Sequence, residues 1–184
     1  MPVVVVVVVV VVVAILVMYT YKVALAKERH KFSASHFTLF PPATVERLHG
    51  HNYQVTVELE ATVLADGMMA PFHTVKEAIE LVCAGWDERV FLPTQSPYVA
   101  LQKVEQQLEV RLTMGQAIGK FYSMPVEDVV LLECDNVTCE NLARLFLLQL
   151  VERLDTSTLL RITVAIDEGG SQSVSCSLDC KIIK

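Results

Sequence analysis

The chain has 184 residues, a formal net charge of −6 and five cysteines. One domain is the default at this length, with enough chain to bury a core, and the acidic balance argues against a nucleic-acid partner. The cysteines (Cys83, Cys134, Cys139, Cys176 and Cys180) are odd in number, lack a C-x-x-C pair and stand apart from the histidines in sequence, which suits a reducing, cytoplasmic compartment better than a disulfide framework.

Val3 to Val13 form an unbroken valine run, continued by Ala14-Ile15-Leu16-Val17. Its length is near the lower limit for a membrane helix, roughly 17 residues. No basic n-region or small-residue cleavage site accompanies it, and poly-valine is itself β-prone and aggregation-prone. We read residues 1–17 as a low-complexity extension before a start at Met18, with a membrane anchor as the lesser alternative. A single domain over residues 18–184 follows.

From Tyr21 to Phe37 the pattern is strand-like, but its parity shifts from Tyr21, Val23 and Leu25 to Phe32, Ala34 and His36. A bulge around Lys27 to Lys31 accounts for the shift. A loop from Thr38 to Arg47, containing Pro41 and Pro42, leads into a second strand reaching about Val63. There Tyr53, Val55, Val57 and Leu59 alternate with Gln54, Thr56, Glu58 and Glu60. His49 and His51 share the face of Tyr53, and Gly50 between them leaves room for another backbone or a ligand. Antiparallel pairing through the loop would bring His36 beside both. Three imidazoles with a fourth position open match the ligand count of a catalytic zinc.

Asp66-Gly67 marks a turn, and Pro71 opens a helix whose buried stripe is Val75, Ala78, Ile79 and Val82. Trp86 to Pro97 reads as loop. Val104 to Leu112 and Val126 to Glu133 read as strands, with a hairpin-like excursion between them. Thr138 is the expected N-cap of a second helix, with Glu140 in its first turn and Leu142, Leu145, Phe146 and Leu150 as its buried stripe. Leu160 to Ile166 reads as a central strand, broken at Gly169-Gly170 before Ser173 to Leu178. The order predicts an α+β fold, with helices on one side of an antiparallel sheet.

Five stretches, taken in order, resemble the 6-pyruvoyl- and 6-carboxy-tetrahydropterin synthase family. They are Phe32-Ser33-Ala34-Ser35-His36-Phe37, Leu48-His49-Gly50-His51-Asn52-Tyr53, Asp66-Gly67-Met68-Met69, Asn136-Val137-Thr138-Cys139-Glu140-Asn141-Leu142-Ala143 and Ile166-Asp167-Glu168. The resemblance implies the tunnelling fold, in which subunits pool their sheets into a barrel and stack as a homohexamer. It implies active sites at subunit interfaces, a pterin substrate and zinc on His36, His49 and His51. It also implies a pterin anchor at Glu168 and a ring contact at Thr138. The anchor has a physical basis: a pterin's ring N–H and 2-amino group form a two-donor fork that one carboxylate accepts bidentately.

Two positions depart from the synthases. Val45 stands where the 6-carboxy synthases carry a catalytic cysteine, and Trp86-Asp87-Glu88 replaces a Leu-Asp-His. Glu46, three residues before His49, resembles a branch whose activity is like that of dihydroneopterin aldolase. On that resemblance Glu46 is the expected base, and Asp87 and Glu88 are candidate proton relays. The expected function is a zinc-dependent lyase cleaving 7,8-dihydroneopterin, or its phosphate, to 6-hydroxymethyl-7,8-dihydropterin. Two alternatives stay open: a 6-carboxy or 6-pyruvoyl synthase with an altered catalytic set, and a zinc- or pterin-binding homologue without turnover.

Overall fold

The computed structural model describes residues 19–62, 64–170 and 172–182. The valine run and Met18 lie outside them, as does Val63, the expected end of the second strand. In chain order the elements are β1 (Tyr21–Leu25), β2 (Lys31–His36), β3 (Leu39–Phe40), β4 (Thr44–Val45), β5 (His49–Ala61) and α1 (Phe72–Trp86). Then come β6 (Arg89–Pro93), β7 (Val99–Val104), β8 (Gln107–Leu112), β9 (Phe121–Pro125), β10 (Val129–Leu132), α2 (Cys139–Val151), β11 (Arg161–Glu168) and β12 (Gln172–Asp179). Among the described residues no helix is long and apolar enough to cross a membrane.

The main sheet runs β10-β6-β2-β5-β11-β12, and β1 shares an edge of β5 with β2. On β5, Tyr53, Val55, Val57, Leu59 and Ala61 are buried, and Ile162, Val164 and Ile166 of β11 continue the same apolar face. Both helices cover it. The α1 stripe is as expected, extended by Cys83 and Trp86. Thr138 caps α2 by accepting from the Asn141 backbone N–H at 3.4 Å, and all four expected stripe residues are buried.

The parity shift before His36 has a wider cause than a single bulge. Leu25 pairs with Val57 and Lys31 with Gln54, so six steps along this edge stand against three on β5. An odd excess of residues moves the apolar set to the other parity while keeping it on the core face.

Three expectations need correction. Trp86 to Pro97 is not all loop, because β6 lies there, parallel to both β2 and β10. Its Phe91, Leu92 and Pro93 are consecutively buried, so the alternation that marks a one-sided strand is missing. The sheet is therefore mixed at this edge and antiparallel from β2 through β12, still with helices on one side. Val104 to Leu112 is not one strand but the end of β7, a turn with Glu105 at φ 55° and β8; β9 completes a separate three-stranded sheet. Val126 to Glu133 contains only the short β10, because Val126–Asp128 is a 3-10 turn.

Trp86 fastens α1 to the rest of the core. It is 2% exposed and meets Phe32, Phe91 and Phe146 edge-on, with ring centroids 5.2–5.5 Å apart. Trp86→Ala is expected to cost about 3–5 kcal/mol, read as a lowered denaturant midpoint. A loss below about 1 kcal/mol would show that the core closes around the gap.

Candidate active site

His36 ends β2 directly opposite His49, which starts β5, and His51 follows on the same face. The ring centroids are 4.7–5.4 Å apart, and one ligand atom from each ring lies within 4.8 Å of the others. Nδ1 of His36 is 3.2 Å from the Val137 carbonyl, and Nδ1 of His49 is 2.8 Å from that of Arg47. A carbonyl only accepts, so each Nδ1 carries a proton, and in the neutral tautomer the lone pair lies on Nε2. His36 is 4% exposed, and its Nε2 has no hydrogen-bond partner. Burial, reinforced by His49 and His51, pushes the His36 pKa below the usual imidazole range, which keeps the ring neutral. A buried, unpaired imidazole nitrogen whose other nitrogen is fixed by a backbone carbonyl is the arrangement of a metal-ligating histidine. The group can hold a metal ion.

Two carboxylates flank the histidines. The short β3–β4 hairpin, with Leu39 opposite Val45, turns the chain so that Val45 packs into the smaller apolar core while Glu46 faces the pocket. The Thr38 backbone N–H donates to Glu46 Oε2 at 3.1 Å, and that oxygen is 3.9 Å from His49 Nε2. On the far side, Glu168 is 7% exposed and accepts from the Tyr53 hydroxyl at 3.1 Å and from Gln172. Its Oε1 lies 3.3 Å from His51 Nε2 and 3.7 Å from His36 Nε2. Burial alone would raise the Glu168 pKa, but Gln172, His51, Tyr53 and His36 together hold it below the usual carboxylate range. Glu46, Glu168, Thr138 and the three histidines line one pocket of about 470 Å³, with Phe40 and Val174 as apolar wall.

Asp87 and Glu88 are not in this pocket. Asp87 accepts from the Ser33 backbone N–H at 2.7 Å and its hydroxyl at 3.0 Å, tying the end of α1 to β2. Glu88, at φ 55°, donates its backbone N–H to the Ser33 carbonyl and lines a separate recess that shares only His51 with the histidine pocket.

All five cysteines stand apart from the histidines in sequence, yet Cys139 lines the pocket. Burial and its hydrogen bond to Glu168 push its pKa up to about 12, so it is a thiol donor and not a thiolate. Tyr53 and Gln172 were also missed. Strand parity could have revealed Tyr53, since Gln172, Glu168, Tyr53 and Phe32 form one cross-strand row. Burial and Glu168 push the Tyr53 phenol above its usual range, keeping it a donor.

Gly115 supports the loop that carries Glu46. It has φ +50°, a Cβ there would stand 2.1 Å from the Ala43 carbonyl oxygen, and the neighbouring Gln116 N–H donates to that oxygen at 3.3 Å. Gly115→Ala should therefore destabilise the chain by about 1–3 kcal/mol and lower turnover by displacing Glu46. Denaturation and steady-state kinetics check this; wild-type values in both would show that the loop accommodates the methyl group.

The sequence signature of the 6-pyruvoyl tetrahydropterin synthase family matches residues 25–178. The chain belongs to that family. A Methanocaldococcus jannaschii protein provisionally named 6-carboxy-5,6,7,8-tetrahydropterin synthase is 31% identical over 146 residues, which span 77% of this chain and 86% of that protein. A Pyrococcus horikoshii protein of the same provisional name is 29% identical over 139 residues, or 75% of this chain and 80% of that protein. The solved 6-pyruvoyltetrahydropterin synthase of Plasmodium vivax superposes with a TM-score of 0.80 at 25% identity, covering 88% of this chain and 99% of that one. A variant of that enzyme with a catalytic residue, a glutamate, replaced by alanine superposes with the same score. Membership in the 6-pyruvoyl tetrahydropterin synthase family and this superposition bear out the tunnelling fold expected from the sequence.

Proposed function

We propose that the chain is a zinc-dependent pterin lyase converting 7,8-dihydroneopterin, or its phosphate, to 6-hydroxymethyl-7,8-dihydropterin. The observation that carries this reading is the position of Glu46: a glutamate stands beside the histidines, and Val45 is turned into the core. The catalytic glutamate of the Plasmodium vivax enzyme supports it. His36, His49 and His51 would hold the zinc ion, which would supply Lewis-acid character toward a substrate hydroxyl.

The chain's own groups carry the rest. Glu168, kept ionised, accepts the ring N–H and 2-amino fork, and the Thr138 hydroxyl contacts the ring edge. Glu46 takes the proton of the side-chain 2′-hydroxyl. The C1′–C2′ bond then breaks, its electrons pass into the dihydropterin ring, and the outer two carbons leave as glycolaldehyde. Proton uptake at C1′ completes the hydroxymethyl product. Asp87 and Glu88 serve as relays only in a pocket completed by a second subunit, as a homohexamer would provide. All five cysteines are free, which fits the cytoplasm.

The names of the archaeal relatives favour a second reading, a 6-carboxy synthase with an altered catalytic set. Product analysis separates the two, using zinc-loaded protein with 7,8-dihydroneopterin and, separately, its triphosphate. Glycolaldehyde with hydroxymethyl-dihydropterin supports the lyase. Acetaldehyde with a carboxy-pterin, or triphosphate release with a pyruvoyl-pterin, overturns it in favour of a synthase. Tight binding without product makes the chain a non-catalytic homologue.

A further inference from the structure

Beside the Cys139 thiol, Glu168 is engaged by two donors of opposite character. Tyr53 is 1% exposed, its ring stacks on Phe32 at 4.8 Å between centroids, and its hydroxyl reaches Oε1 from the core. Gln172 is exposed at the start of β12 and lines the histidine pocket, and its carboxamide donates to Oε2. It follows the Gly169–Gly170 turn, where both glycines have positive φ. A carboxamide at an exposed position can leave a hydrogen bond and be satisfied by water, whereas a buried phenol cannot. Glu168, at 7% exposure, gains most from a donor placed within the pocket.

The Gln172 Nε2 amide N–H offers the donor chemistry of an exocyclic amino group on an aminopyrimidine ring. We propose that Gln172 is a specificity-determining plug: its carboxamide satisfies Glu168 in the empty pocket and is displaced by a ring presenting adjacent N–H and amino donors. The inference rests on Glu168 being the ring anchor, as in the function proposed above. A ring that offers two donors replaces the plug with a better partner, because a fork of two charge-assisted hydrogen bonds outweighs one. A ring with a single donor gains little by exchange. The binding-competent form is the unplugged fraction, so the plug weakens apparent affinity in proportion to its occupancy.

The test is fluorescence titration of the full chain with neopterin, comparing wild type with Gln172→Ala, Gln172→Met and Glu168→Gln. The methionine variant keeps the length of the side chain without an N–H, so it separates loss of the donor from loss of bulk. Both Gln172 variants are expected to bind neopterin about 3–10-fold more tightly, and Glu168→Gln at least about 10-fold more weakly. If Glu168→Gln weakens binding while Gln172→Met binds as wild type or less tightly, the plug is overturned and the anchor stands. Undiminished binding by Glu168→Gln overturns the anchor and the plug together.

Discussion

Glu46→Gln is expected to lower kcat by about 10²–10⁴ while metal content and neopterin affinity stay at wild-type values. The substitution keeps the shape of the side chain and an oxygen that can accept from the Thr38 N–H, which now lies 3.1 Å from Oε2. It removes the ability to take a proton 3.9 Å from His49 Nε2. Among the described residues Glu140 also lines the pocket, but only Glu46 and Glu168 come within 4 Å of the three histidines; Val45 is apolar, the Cys139 thiol is pushed up to about 12, and Glu168 is committed to Tyr53 and Gln172. The effect should therefore fall on kcat rather than on binding. An unchanged kcat would take Glu46 out of the mechanism.

His49→Ala is expected to strip the metal and reduce turnover by about 10³ or more, since Lewis-acid stabilisation is worth several kcal/mol. The fold should survive. His49 is half-buried at the mouth of the pocket, and its only fixed hydrogen bond in the described structure runs to Arg47 two residues away. A catalytic metal site also contributes less to folding than a closed structural one. Metal analysis with circular dichroism checks both halves, and the variant combining alanine at His36, His49 and His51 sharpens the first. Stoichiometric metal in that triple variant would move the metal elsewhere.

The clustering of His36, His49 and His51 was legible in the sequence because its physics is local. Alternation along Tyr53 to Leu59 fixes which face His49 and His51 share, and the loop after Phe37 returns the chain so that His36 meets them. Thr138 was legible as a cap for the same reason. What escaped depends on contacts far apart in sequence. Phe91 and Leu92 are buried side by side, so β6 carries no alternation to read. Asp87 joins the candidate relays by resemblance alone, because Trp86-Asp87-Glu88 stands where the synthases carry a Leu-Asp-His, but Ser33 claims its carboxylate. Cys139 enters the pocket because it begins the helix that Thr138 caps, a consequence of how α2 docks. Glu46 reaches the histidines only because the β3–β4 hairpin turns Val45 inward, a rotation the spacing to His49 does not specify.

X-ray absorption at the zinc edge on the purified protein tests most directly whether three imidazoles hold a metal with one position open. About one zinc per chain is expected, with three nitrogen scatterers and one oxygen, the nitrogens at about 2.0–2.1 Å. A sulfur scatterer near 2.3 Å would bring Cys139 into the ligand set, and no zinc after reconstitution would contradict the metal site altogether.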